Sequence, residues 1–145
     1  MKLDELAQVT RGITTTGKNL IPSEGSAYRV VQVRHLQDGV ILPAKALKTA
    51  YVGVAAKPGR FAVKAGDILV AMLGATPKVV AVKTTPSKYL ADKSLAIVRP
   101  SSARAGGKIL KYLTSDEGQG ELRSLRTGAT IPHMTTAALK AIDIK

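Results

Sequence analysis

The stretch Gly66-Asp67-Ile68-Leu69-Val70-Ala71-Met72-Leu73-Gly74 decides how the rest of the chain is read. The six residues from Ile68 to Leu73 are all apolar and are bounded by Gly66-Asp67 before and Gly74 after. The run is too short for an independent helix and has the length of a buried strand. Working outward, Lys57-Pro58-Gly59-Arg60 punctuates the chain upstream, and a turn with Gly74 and Pro77 follows downstream. That turn feeds a second apolar segment at 79–82, and a third at 95–98 closes the strand-rich region before Pro100. Further upstream, 28–33 combines Tyr28 with Val30, Val31 and Val33 and reads as a strand. Asp38-Gly39 is a turn signal leading into Val40-Ile41-Leu42, so a hairpin is expected there.

Helical periodicity is confined to the ends. Leu3, Leu6, Ala7 and Val9 fit one side of a short helix entered through Asp4 and Glu5 and finished before Gly12. Residues 11–26 are rich in Gly, Thr, Ser and Asn and read as a long loop; 101–107 are again loop-like. Beyond Gly107 the spacing of Ile109, Leu110, Tyr112 and Leu113 predicts a helix. Thr114-Ser115-Asp116-Glu117 fits a capping box opening another, with Leu122 and Leu125 as its apolar stripe and Gly128 as its end. A short helix near Thr135 and a last strand over 141–144 complete the expectation.

Length and composition bound the class. With 145 residues and 45% hydrophobic content, the chain suffices for one core, so one domain over 1–145 is expected. Gly74 breaks the longest apolar run, leaving nothing near the ~18 residues of a membrane helix. Asp4 and Glu5 argue against a secretory signal, and the absence of cysteine fits a cytoplasmic location.

Charge carries more information. Lys and Arg number 22 against 10 Asp and Glu, a net charge of +12. Between Ile41 and Pro100 only Asp67 and Asp92 oppose ten basic residues. Nucleic acid is the expected partner, because each neutralised phosphate releases counterions; a surplus serving only solubility is the competing reading. The aromatic supply is Phe61, Tyr28, Tyr51, Tyr89 and Tyr112, with no Trp. Nothing there resembles the clustered aromatics on which single-strand readers stack bases, so duplex DNA is favoured.

Catalytic signatures are missing. His35 and His133 lie far apart in sequence without cysteines or paired carboxylates, which argues against zinc. No nucleophile elbow, nuclease-type acidic pair or amino-methyltransferase motif is found. Gly12-Ile13-Thr14-Thr15-Thr16-Gly17-Lys18-Asn19 approaches a phosphate-binding loop, but Asn19 stands where Ser or Thr must hold magnesium and Pro22 follows where a helix should continue. The loop's Thr, Lys and Asn side chains still suit hydrogen bonds to phosphates or base edges.

Five segments, in order, resemble the target recognition domain of type I restriction-modification specificity subunits. They are Leu3-Asp4-Glu5-Leu6-Ala7 with Arg11-Gly12; Tyr28-Arg29-Val30 followed by Leu36-Gln37-Asp38-Gly39-Val40-Ile41; Gly66-Asp67-Ile68-Leu69 with Gly74; residues 110–115 followed by Glu117-Gly118-Gln119; and Gly128-Ala129-Thr130-Ile131-Pro132-His133. The resemblance implies an α+β domain with a curved, mostly antiparallel sheet and a few short flanking helices. It implies sequence-specific binding of double-stranded DNA through loops, without catalysis or cofactor, in partnership with methyltransferase and restriction subunits; a homodimer is a further partner expectation, a membrane is not.

Gly12, Gly39, Gly66, Gly74 and Gly128 are expected to set backbone turns, and Asp67 to serve a turn or cap. Departures from the family pattern are Ala71-Met72-Leu73, where a polar or basic residue is frequent, and Pro77 for glycine. The first argues against a DNA contact there; His35 is read as an exposed loop residue in preference to a local specificity choice. Family members usually carry two such domains joined by long helices, whereas this sequence stops at Ile144-Lys145. A half-subunit, an isolated domain or a relative reused for other DNA binding are the alternatives. The DNA contacts are expected among Arg11, Thr15, Lys18, Arg34, Lys57, Arg60, Lys78, Arg126, Thr130 and His133, with Arg favoured for guanine edges and Lys for phosphates. A nucleotide-dependent enzyme using the Gly12 loop and a structured-RNA binder are the rival functions.

Overall fold

The computed structural model describes residues 1–15 and 25–145. In chain order, α1 (Leu3–Leu6) leads into β1 (Ala7–Arg11), followed by β2 (Ser26–Val31), β3 (Leu36–Gln37), β4 (Val40–Ile41), β5 (Lys48–Val52), β6 (Ile68–Ala71), β7 (Val79–Ala81), β8 (Tyr89–Ala91) and β9 (Leu95–Pro100). Three helices close the chain: α2 (Ala103–Thr114), α3 (Asp116–Ser124) and α4 (Thr136–Lys140). The architecture is α+β, as expected, but its strands are divided among three sheets. The central one has order β1-β9-β6-β7 and is antiparallel throughout. The second has order β5-β2-β8, with β2 antiparallel to β5 and parallel to β8; β3 and β4 form a separate hairpin.

β6 explains why an unbroken apolar run was needed. Alternate side chains of a strand point to opposite faces, and here both faces are covered. Ile68, Val70 and Met72, with Ala96 and Val98 of β9, pack with Ile109, Leu113, Leu122 and Leu139 of the helices. Leu69, with Leu95 and Ile97, faces Val31, Ala91 and Val63 of the second sheet and its connections. That second sheet is also covered on its outer side, where Val30, Ala50 and Leu90 meet Ile13 and Phe61.

Several boundaries differ from expectation. The first helix is one turn long, and Val9 lies in β1 because pairing with β9 along Ala7–Arg11 outweighs its helical spacing. Asp38 and Gly39 both take positive φ (53° and 76°) and make the expected hairpin turn, but they join β3 to β4; β2 pairs elsewhere. Residues 103–107 belong to α2, whose N-cap Ser102 accepts a hydrogen bond from the Ala105 amide, so Gly106 and Gly107 are helical. The cap of α3 is Ser115, whose Oγ accepts from Gly118 N at 3.0 Å. Thr114 instead donates back to Leu110 O at 2.6 Å, and Glu117 pairs with Lys145. α3 ends at Ser124, ahead of Gly128, and residues 141–144 form no strand: Asp143 bridges Lys2, while Ile142 and Ile144 join the core.

Gly39, Gly66, Gly74 and Gly128 have positive φ, consistent with turn positions. Gly12 has another role: a Cβ there would stand 1.8 Å from Asp92 O, so the position demands close backbone approach. Asp67 does close a turn, accepting from Lys64 N at 2.8 Å, and also receives Arg99 Nε at 2.8 Å. This bidentate pair ties the turn before β6 to β9.

Candidate nucleic-acid interface

Antiparallel pairing gathers one set of turns at one end of the central sheet. β1 leaves there through Arg11, β9 enters there after Lys93 and Ser94, β6 leaves through Met72 and Leu73, and β7 enters after Lys78. The segment after β2 joins them, since Val33 N donates to Ser94 Oγ at 3.0 Å and Lys78 Nζ donates to Val33 O at 3.5 Å. Residues 127–133 complete the group. Thr127 and His133 exchange both backbone bonds at 2.8 Å, His133 bridges Leu73, and Gly74 N donates to Pro132 O at 2.8 Å.

Beneath these turns lies a buried polar cluster. The Asp92 carboxylate accepts from Gln32 Nε2 and from Ser94 N, each at 2.9 Å, and from Ser94 Oγ. Arg11 Nε donates to Lys93 O at 2.6 Å, and burial lowers the Arg11 pKa, opposed by the nearby Asp92 charge. His35 is buried, contrary to its reading as an exposed loop residue; its Nδ1 accepts from Gln32 N at 2.9 Å. Burial first, and then the Arg34 charge, hold its pKa below the ordinary value. A ring that accepts at Nδ1 is neutral there, so His35 organises the turn that carries Arg34.

The structure brings Arg11, Arg34, Lys78, Arg126 and His133 together at this end. Arg34 and His133 are exposed; Arg11, Lys78 and Arg126 are half-buried. Arg126 is a brace: its guanidinium donates to Gly74 O and Ala71 O at 2.8 Å and to Leu122 O at 3.1 Å, binding the β6-β7 turn to the end of α3. Thr130 sits exposed in the adjoining 128–131 turn, and Thr15 is half-buried two residues beyond Ile13, which bridges Asp92. Lys57 and Arg60 are exposed around the turn preceding Phe61, on the outer side of the second sheet. Lys18 lies outside the described residues.

Sequence reasoning missed Lys93, exposed between β8 and β9, although Asp92-Lys93-Ser94 between two apolar runs is itself a turn signal. Ala71 and Met72 are inaccessible, whereas Leu73 is half-buried. The ion pairs formed among the described residues involve neither Arg11, Arg34, Lys78 nor Lys93. Among the described residues, Arg34, Lys78 and Lys93 thus border one surface without an ion pair, beside Arg11, which feels the Asp92 charge.

No protein-family model matches the chain, and none of the curated proteins matches it in sequence. Solved structures do match. The S subunit of a type I restriction-modification system from M. genitalium superposes with a TM-score of 0.57 at 15% identity, over 98% of this chain and 32% of that one. The HsdS subunit from Thermoanaerobacter tengcongensis does so with a TM-score of 0.63 at 13% identity, over 98% of this chain and 31% of that one. The chain has the fold of part of a type I S subunit. It spans about a third of the length of those S subunits, and the α+β arrangement of sheets and flanking helices is what they share. Among the described residues of this S-subunit-like fold, no group of three or more His, Cys, Asp or Glu gathers, and no helix is long and apolar enough to cross a membrane.

Proposed function

We propose that the chain reads the sequence of double-stranded DNA as a specificity element of a type I restriction-modification system, its partners being methyltransferase and restriction subunits that carry the catalysis. The observation that carries this reading is the coincidence of an S-subunit fold over 98% of the chain with a turn-built end bearing Arg34, Lys78 and Lys93, which form no ion pair among the described residues. Arg34, Lys78 and Lys93 supply the phosphate and base-edge contacts, joined by Arg11, Thr15, Thr130 and His133 around them. Lys18, Lys57 and Arg60 extend the contact set, and Arg126 acts by holding the 74–76 turn in place. Basic groups on rigid turns lose little freedom on meeting a phosphate, and guanidinium suits the O6/N7 edge of guanine. Nucleotide chemistry through the Gly12 loop is disfavoured, because the Gly12 and Ile13 amides are already donated to Leu95 O and Ala91 O at 2.9 Å.

Selection from a randomised duplex library tests the proposal. A reproducible consensus, with single-stranded DNA and duplex RNA failing to compete, is the expected result. Enrichment without any consensus would remove the specificity claim.

A further inference from the structure

The cationic end contains one apolar feature that folding does not explain. A shallow concavity there has Leu73, Ile131 and Val33 in its wall and Gln32, Arg34 and Ser94 around it. Ile131 keeps 61% of its surface exposed. Its loop is nevertheless held firmly, by the paired bonds of Thr127 with His133, by Gly74 N on Pro132 O, and by Met134 N donating to Met72 O at 2.9 Å. A large aliphatic side chain has thus been placed in water, on a loop tied down by backbone bonds, with Arg34 beside it at an end of the sheet whose charge suits a polyanion.

We propose that this concavity recognises a 5-methylpyrimidine, receiving the C5-methyl group of a thymine in the major groove against Ile131 and Leu73 while Arg34 engages the neighbouring phosphate or base edge. The inference rests on the DNA-reading function above and makes it more specific. In the major groove, the thymine methyl is the apolar protrusion that distinguishes one base-pair edge from the others, and aliphatic side chains are its natural complement. An isoleucine driven between stacked bases is the other known use of such a residue. That wedge requires a side chain that projects alone, whereas Ile131 shares the wall of a shallow concavity with Leu73 and Val33, a surface suited to the width of a methyl group. A methyl on cytosine offers the same shape, so the test separates the two sources.

The experiment measures Kd on the selected consensus duplex, replacing each thymine singly by deoxyuridine and each cytosine singly by 5-methylcytosine, for the wild type and Ile131→Ala. One thymine is expected to respond, its loss of methyl weakening the wild type about fourfold, the worth of one buried methyl(ene) group. The same replacement should leave Ile131→Ala unchanged, with both proteins melting alike because the side chain is exposed. A response confined to an added cytosine methyl, and lost in Ile131→Ala, supports the concavity with 5-methylcytosine as its ligand. A consensus at which no methyl matters, or at which Ile131→Ala responds like the wild type, overturns the inference and leaves DNA reading standing. Brightening of 2-aminopurine at a methyl-blind consensus overturns it in favour of the wedge. Absence of duplex binding by the wild type at low ionic strength overturns both.

Discussion

His35 shows how a single buried side chain can make stability depend on pH. Its Nδ1 accepts the Gln32 amide, and burial lowers its pKa from the ordinary 6.5. The unfolded chain therefore takes up this proton more readily than the folded one. The stabilisation is complete above pH 6.5 and is lost as pH falls below it towards the lowered value. Melting curves between pH 8 and pH 5 should fall more steeply for the wild type than for His35→Asn, whose amide oxygen can accept without titrating; parallel curves would remove His35 from this role. At Gly12 the constraint is steric. Backbone surrounds the missing Cβ, with Asp92 O at 1.8 Å and Ala91 O at 2.6 Å, so neither neighbour is a side chain that can swing away. Gly12→Ala should cost about 3 kcal/mol, at the upper end of ordinary overpacking, as read from the urea midpoint. Arg34 and Arg126 are both arginines at the same end of the sheet, yet only one is committed to the scaffold. Removing Arg126 orphans the carbonyls of Ala71 and Gly74, and Arg126→Ala should lose about 2 kcal/mol of stability. Arg34→Ala should melt like the wild type while binding duplex more weakly, and a drop in melting temperature equal to that of Arg126→Ala would contradict the division.

The junction of α2 and α3 is where a local motif and its tertiary use diverge. Ser115 caps α3 through Gly118 N, and its own hydroxyl donates to Tyr112 O at 2.6 Å. A Cβ at Gly118 would stand 1.9 Å from the same Tyr112 oxygen, so the helices turn about a point where only glycine fits. Tyr112 then reaches across to Glu121, its hydroxyl donating to Oε1 at 2.6 Å. That hydrogen bond, with burial, pushes the phenol up to about 12, so it remains a donor throughout the physiological range. Ser115→Ala should lose about 1 kcal/mol, the usual worth of an N-cap, while Thr114→Ala should change stability by a few tenths of that. The reverse order in thermal denaturation would restore the capping register expected from sequence. The capping pattern was legible in residues 114–117, but which hydroxyl serves as the cap depends on where α2 stops. That is set by packing of Leu113 and Tyr112 into the core.

For the whole molecule, the three packed layers of helices, central sheet and second sheet turn a diffuse positive charge into a surface. Cations from five chain segments meet at one end because antiparallel strands return their turns to it. Salt titration of duplex binding checks this grouping. Arg34→Ala and Lys93→Ala should each reduce the slope of log K against log salt by about one, if each engages one phosphate. An unchanged slope in both would place the bound DNA elsewhere. The buried strand that opens at Ile68, though it ends at Ala71 and not at Leu73, the Asp38-Gly39 hairpin turn, the helical ending and the positive charge were legible in the amino-acid order, because each depends on neighbours within a few residues. The pairing of β2 with β5 and β8, the burial of His35, the engagement of Arg126 by carbonyls and the exposure of Ile131 were decided only by tertiary structure. Periodicity says which face of a segment avoids water; which distant backbone meets that face depends on how the layers close over one another.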